Sequence, residues 1–197
     1  MRTRDEQKET AIREKALEMI VRDGFDGLSM HKLGKAAKVS PATIYIYYKN
    51  REDLLNRLFN DVEQTFSDIA LKDFDPESPF DEGLWRQWKN RLKFILKYPV
   101  HYKFLEQFRN SPLINHKDVK SSRFKDAMGL FVKNAIKRGD ITVPMERETF
   151  WALAFAPFYA LVNFHLTGGK PPTTAPFKLT EAKMRTVFDR IIKAFKE

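Results

Sequence analysis

The sequence predicts an all-α fold of about nine helices. Three observations predict it. Apolar residues recur at spacings of three and four along most of the chain. No stretch sustains the strict apolar–polar alternation of a half-buried strand. Helix caps and proline or glycine breaks punctuate the apolar stripes at intervals suited to helices.

The elements follow in order. Ile12, Ala16, Met19 and Ile20 form the first stripe, and Gly24, after Asp23, supplies a stop. Ser29 caps a second helix over 29–37, with Leu33 and Ala36 inward. Lys38 and Val39 make a tight connection. Ser40 caps a third helix, and Pro41 takes its first position, where a missing N–H costs nothing. Asn50 caps a fourth, with Asp53 at the position of a capping box and Leu54, Leu55, Leu58, Phe59 and Val62 along its stripe. Beyond the loop around Pro76 and Pro79, helical patterns cover roughly 81–97, 100–110, 118–138, 145–167 and 180–196. The last carries Met184, Val187, Phe188, Ile191, Ile192 and Phe195 on one side.

Composition divides the 197 residues. Only five of the 26 aromatics and one of the ten prolines precede residue 61. We therefore expect a small N-terminal module over 1–50 and a larger helical body over 51–197, with the helix that starts at 51 linking them. Cysteine is absent, which excludes disulfides, thiolate metal sites and a cysteine nucleophile. The charged N-terminus lacks the apolar core of a secretory signal. The most apolar stretch, 150–166, holds Pro157, Asn163 and His165 and reads as a packed helix rather than a membrane span. A cytoplasmic, bacterial location is expected, at the nucleoid when DNA is bound.

The net charge of +9 fits a polyanionic partner, but its distribution says more. Residues 27–51 hold Lys32, Lys35, Lys38, Lys49 and Arg51 and no acid. Three short helices precede residue 50. Leu33, Ala36, Val39 and Ile44 are placed to meet as a small core fixing the angle between two of them, the geometry of a helix-turn-helix. The second of these helices starts Ser-Pro-Ala-Thr. Small residues there admit a DNA backbone, Thr43 and Tyr45 reach toward bases or phosphates, and Tyr47, Lys49 and Arg51 suit backbone oxygens at its exit.

Residues 24–55, GFDGLSMHKLGKAAKVSPATIYIYYKNREDLL, resemble the DNA-binding domain of TetR-type bacterial transcriptional regulators. The resemblance rests on a Gly-aromatic turn, a serine at a helix start, an Ala-Lys-Val-Ser turn, the Thr43–Tyr45–Tyr47–Tyr48 series and a cation at Arg51 before Leu54 and Leu55. It implies that Ser29 holds a phosphate and that His31 stands where Arg often reads a base. Ser40, Pro41, Ala42 and Thr43 would face the groove. Tyr45 and Tyr47 would contact DNA, Arg51 would bind phosphate, and Tyr48 would be a core aromatic. Two departures stand out. Lys38 replaces a turn glycine, where it meets left-handed strain or adds a phosphate contact. Gly34 replaces alanine and weakens its helix slightly.

The aromatic body invites a ligand pocket. Trp85, Trp88, Phe104, Phe108, Phe131, Trp151, Phe155 and Tyr159 recur at helical spacings. The resemblance implies an effector cavity among them, suited to a small apolar or aromatic molecule. The four histidines show no i,i+4 pair, and no nucleophile elbow, P-loop or dinucleotide fingerprint is present. Neither catalytic residues, a metal nor a cofactor is expected. One short recognition helix reads few base pairs, so a homodimer on a palindrome-like operator is expected, paired through the helices near 145–167 and 180–196. The reading is a ligand-responsive regulator, most simply a repressor released by its effector. Its rivals are a ligand-independent DNA-binding regulator and a ligand-binding module without DNA affinity.

Overall fold

The computed structural model describes residues 5–109, 123–142, 145–168 and 176–196. Among them are nine α-helices and no strand. They are α1 (Glu6–Gly27), α2 (Met30–Ala36), α3 (Pro41–Tyr47), α4 (Arg51–Ala70), α5 (Phe80–Lys97), α6 (Pro99–Arg109), α7 (Arg123–Arg138), α8 (Arg147–Leu166) and α9 (Glu181–Ala194). The all-α expectation and most of the element positions match. The stretch 118–122, expected to open the seventh helix, lies outside the described residues.

Local signals set the ends. Asp5 caps α1 by accepting from the backbone N–H groups of Gln7 and Lys8. Gly24 breaks α1 with φ of 73°, a conformation open to glycine, and a last turn follows it to Gly27. Ser29, Ser40 and Thr180 cap α2, α3 and α9 through their hydroxyls. Asn50 Oδ1 accepts from Asp53 N–H at 2.8 Å, and Asp53 accepts in return from Lys49 N–H at 2.9 Å.

The described residues form two compact units, and the division falls inside α4 and α5. The first comprises 5–68 and 94–109. Buried in it are Ile12, Ala16 and Ile20 of α1 and Leu54, Leu58 and Val62 of α4. The tail of α5 and the whole of α6 belong here. Phe108 stacks on Phe59 at 4.5 Å and meets Phe25 edge-on at 5.8 Å. Gln107 donates to the Val21 carbonyl at 3.2 Å. Packing thus draws more chain into the N-terminal unit than the module of 1–50 expected for function.

The second unit comprises 69–93, 123–142, 145–168 and 176–196. Phe80, Phe131, Phe150 and Phe195 form one aromatic cluster, and Gly83 gives Phe131 room, since a Cβ there would lie 2.3 Å from its ring. Trp88 donates to the Ala154 carbonyl at 2.9 Å, tying α5 to α8. The apolar stripe of α9, expected to pair with a second copy, lies inside its own unit: Met184, Phe188, Ile191 and Phe195 are all buried. A period-3.6 stripe shows that a face is covered, not by which chain.

Candidate nucleic-acid interface

The helix-turn-helix is built from short-range bonds around a small core. Leu33 of α2 and Ile44 of α3 are fully buried, and Val39 between them is half-buried. Ala36, expected in this core, is exposed instead. The turn closes when Val39 N–H donates to the Gly34 carbonyl at 2.9 Å and Lys38 N–H to that of Lys35 at 3.3 Å. Lys38 takes the left-handed conformation, with φ of 56°. Gly34 does more than weaken α2. A Cβ at this position would stand 2.8 Å from the Val39 carbonyl oxygen and 3.3 Å from the Pro41 nitrogen. The turn folds back onto the bare face of this glycine.

On the outer side, α3 presents a continuous row. Ser40 Oγ accepts from Thr43 N–H at 3.1 Å and shares a hydrogen bond with Thr43 Oγ1 at 2.9 Å. Ala42 is exposed, and Pro41 and Thr43 are half-buried. Tyr45 is 54% exposed and Ile46 is 44% exposed. The two stand side by side on the outer face of α3. Ile46 was not singled out in the sequence. The signal was its place off the inward stripe carried by Ile44 and Tyr47.

The cations flank this row. His31, Lys38 and Lys49 are exposed, and Lys35, Lys38 and Lys49 enter no ion pair among the described residues. Ser29 is half-buried, its hydroxyl accepting from Lys32 N–H at 3.2 Å.

Two expected contacts turn inward. Tyr47 is 4% exposed, and its hydroxyl bonds the Asp5 backbone. It steadies α3 from behind by bonding the start of α1. Arg51 is half-buried, with Nε donating to the Leu28 carbonyl at 3.1 Å and Nη2 donating to that of Phe25. It ties the start of α4 to the turn after α1. Tyr48 is the core aromatic expected. Its hydroxyl is buried without a hydrogen-bond partner among the described residues, and burial pushes its pKa up to about 12.

The expected pocket residues do not gather at one place. Phe104 and Phe108 belong to the core of the N-terminal unit. Phe131 is buried against Phe74 and Phe80. Trp85 and Trp88 pack on Phe188 at 4.9 and 5.3 Å. Trp151, Phe155 and Tyr159 surround the buried guanidinium of Arg91, which lies 4.1 Å from the Phe155 ring centroid and donates to Tyr159 Oη at 2.6 Å. Only Trp151 of the eight lines the cavity of about 840 Å³ in this unit. Aromatic periodicity identifies buried faces, and here those faces are filled by one another. Among the described residues, no cluster of His, Asp or Glu has the makings of a metal site.

Comparison with known proteins agrees with this geometry. The family model described as bacterial regulatory proteins of the tetR family matches residues 12–58. A crystal structure of a TetR family transcription regulator from Marinobacter aquaeolei VT8 is 29% identical, covers 98% of both chains and superposes with a TM-score of 0.77. An uncharacterised HTH-type transcriptional regulator of Haemophilus influenzae is 36% identical over 61% of this chain and 64% of its own length. A fatty acid metabolism regulator protein of Bacillus subtilis is 26% identical over 56% of this chain and 52% of its own. The chain thus spans less than two thirds of the length of these curated relatives. The helix-turn-helix therefore matches the tetR family of bacterial regulatory proteins over residues 12–58, and the fold along nearly the whole chain is similar to that of a TetR family transcription regulator.

Proposed function

We propose that the protein is a cytoplasmic transcriptional regulator that binds a palindrome-like operator as a homodimer and is released by a small apolar molecule. The observation that carries the DNA half is the exposed row on α3, with Tyr45 and Ile46 uncovered beside Lys38 and Lys49, which are exposed and in no ion pair among the described residues. In this reading Ser40, Pro41, Ala42 and Thr43 approach the duplex, Tyr45 contacts backbone or base, and Ile46 meets thymine methyl groups. His31, Ser29, Lys38, Lys49 and Arg51 hold phosphates or flanking bases.

The pairing surface is α8. Only 28% of its most apolar stretch is buried, and Ala152, Ala156, Ala160 and Phe164 leave an apolar strip on one side. The outward face of α9 is charged, with Arg185 paired to Asp189 at 2.8 Å, so it supplies a rim rather than a core. Twofold pairing sets two recognition helices about 34 Å apart, one turn of DNA. An effector that favours another spacing lowers operator affinity by no more than its preference between the two states.

Selection of bound duplexes from a random pool tests this reading. Recovery of a two-half-site sequence, bound by a species of twice the monomer mass, supports it. Absence of any duplex affinity, or affinity unchanged in Tyr45→Ala with Lys49→Ala, overturns it.

A further inference from the structure

The cavity of about 840 Å³ lies within the C-terminal unit, at the edge of the aromatic clusters, from which Phe150 and Trp151 reach its wall. Its volume falls in the range of small-molecule sites. Met128, Val132 and Ile136 of α7 form one wall, and Ile141, Met145 and Phe150 another. Thr142 anchors the second wall, its N–H donating to the Phe195 carbonyl at 3.1 Å. Two methionines give the lining soft, adaptable side chains. Ile136 is 59% exposed, an apolar group left waiting for cover.

The polar part of the lining has one sign. Lys125 and Arg147 line the cavity and are exposed, and no carboxylate is among the described lining residues. Arg147 meets Glu148 at 3.3 Å, but both side chains are 74% exposed, so an anionic head group competes with that pair at little cost. Shape adds a second constraint. The lining residues of α7 run from Lys125 to Ile136, about 16 Å along the helix axis. A cation opens this strip and apolar side chains continue it.

We propose that the cavity binds an amphipathic anion with one extended apolar chain, a medium- or long-chain acyl carboxylate in the simplest case. The chain lies along Met128, Val132 and Ile136, and the head group meets Lys125 and Arg147. This deepens the effector reading above and rests on it for any consequence at DNA. The binding itself is a property of the C-terminal unit.

Gly129 makes the test clean. It lines the cavity, and a Cβ built on it meets nothing within 4 Å. Gly129→Leu therefore fills the cavity without disturbing the fold, and the loss of a mid-helix glycine favours α7. Calorimetric titration of the full chain with dodecanoate and with dodecan-1-ol, below their micelle or solubility limits, reads the outcome. The wild type binds dodecanoate more tightly than the alcohol. Gly129→Leu loses both while keeping its thermal midpoint. Lys125→Gln with Arg147→Gln brings dodecanoate down to the alcohol, a fall of about fivefold for two exposed charge contacts.

Unchanged dodecanoate binding in Gly129→Leu overturns the proposal. So does a drop in sedimenting mass in that variant, which would show a second copy seated on the groove. Dodecanoate binding that leaves the selected duplex bound sinks effector release and leaves this site standing. Duplex binding without dodecanoate binding does the reverse.

Discussion

The hydroxyl of Tyr47, in the last turn of α3, accepts from Asp5 N–H and donates to the Asp5 carbonyl, each at 3.0 Å. One phenol thus holds both backbone groups of the residue that caps α1. Asp5 and Tyr47 are 42 positions apart in sequence, so the bond pair fixes the start of the longest helix in the unit to the end of α3. Tyr47 thus holds the exposed row of α3 in place from behind.

Tyr47→Phe keeps the ring and removes both bonds. Stability should fall by about 1 kcal/mol, because the part-buried Asp5 N–H loses its partner while the Asp5 carbonyl keeps the N–H groups of Lys8 and Glu9. Amide exchange in the first turn of α1 should accelerate beyond the global change. Equal exchange there in variant and wild type would show that the pair holds nothing.

The turn between α2 and α3 yields two substitutions of opposite sign. Gly34→Ala puts a methyl 2.8 Å from the Val39 carbonyl oxygen, against backbone that yields little. It should cost about 1–3 kcal/mol despite alanine's better helix propensity. Lys38→Gly relieves the left-handed conformation, where φ is 56°. It should gain up to about 1 kcal/mol, less the extra freedom glycine gives the unfolded chain. Urea midpoints check both, and a stabilising Gly34→Ala would refute the close approach. If Lys38 also binds phosphate, Lys38→Gly weakens operator binding while raising stability.

These cases show where sequence reading succeeds and where it stops. Ser29, Ser40 and Asn50 were legible as caps because a cap is decided within four residues. Pro41 and Gly24 were legible for the same reason. The inward turn of Tyr47 and Arg51 was not, because their partners lie 42 and more than 20 positions away and are chosen by how α1 crosses the module. The pocket failed on the same ground. Phe104 and Trp88 carry the same helical signal, yet one packs in each unit, and the open cavity falls on a strip rich in methionine and isoleucine. Periodicity reports that a face is covered and leaves the covering partner to tertiary structure.

Tyr48 carries a buried hydroxyl without a partner among the described residues. Tyr48→Phe deletes that group at nearly constant shape, so stability at neutral pH should hold or rise by up to about 1 kcal/mol. The alkaline limb separates this from a generic packing effect. Burial raises the phenol from 10.0 to about 12 in the folded chain. A raised folded pKa means stability that is whole below pH 10 and lost as pH climbs toward 12. Tyr48→Phe should shed that part of the alkaline loss, and an unchanged alkaline limb in the variant would count against a buried neutral phenol.

Arg51 is the residue on which two roles meet. Its guanidinium donates to the Phe25 and Leu28 carbonyls, bonds that set α4 against the end of α1. A phosphate contact needs the remaining N–H groups, and the half-buried position leaves part of the side chain accessible. Arg51→Ala should lower stability by about 1–3 kcal/mol, because the carbonyls lose a charged donor. Stability alone does not separate anchoring from DNA contact, but salt dependence does. Removing one phosphate contact reduces the slope of log K against log salt by about one, whatever the DNA sequence. Removing an anchor shifts K and leaves the slope. Lys49→Ala supplies the control, since Lys49 is exposed and in no ion pair among the described residues, and it should flatten the slope without cost to stability. A slope that changes in Lys49→Ala and not in Arg51→Ala assigns Arg51 wholly to the scaffold; equal changes give it both tasks.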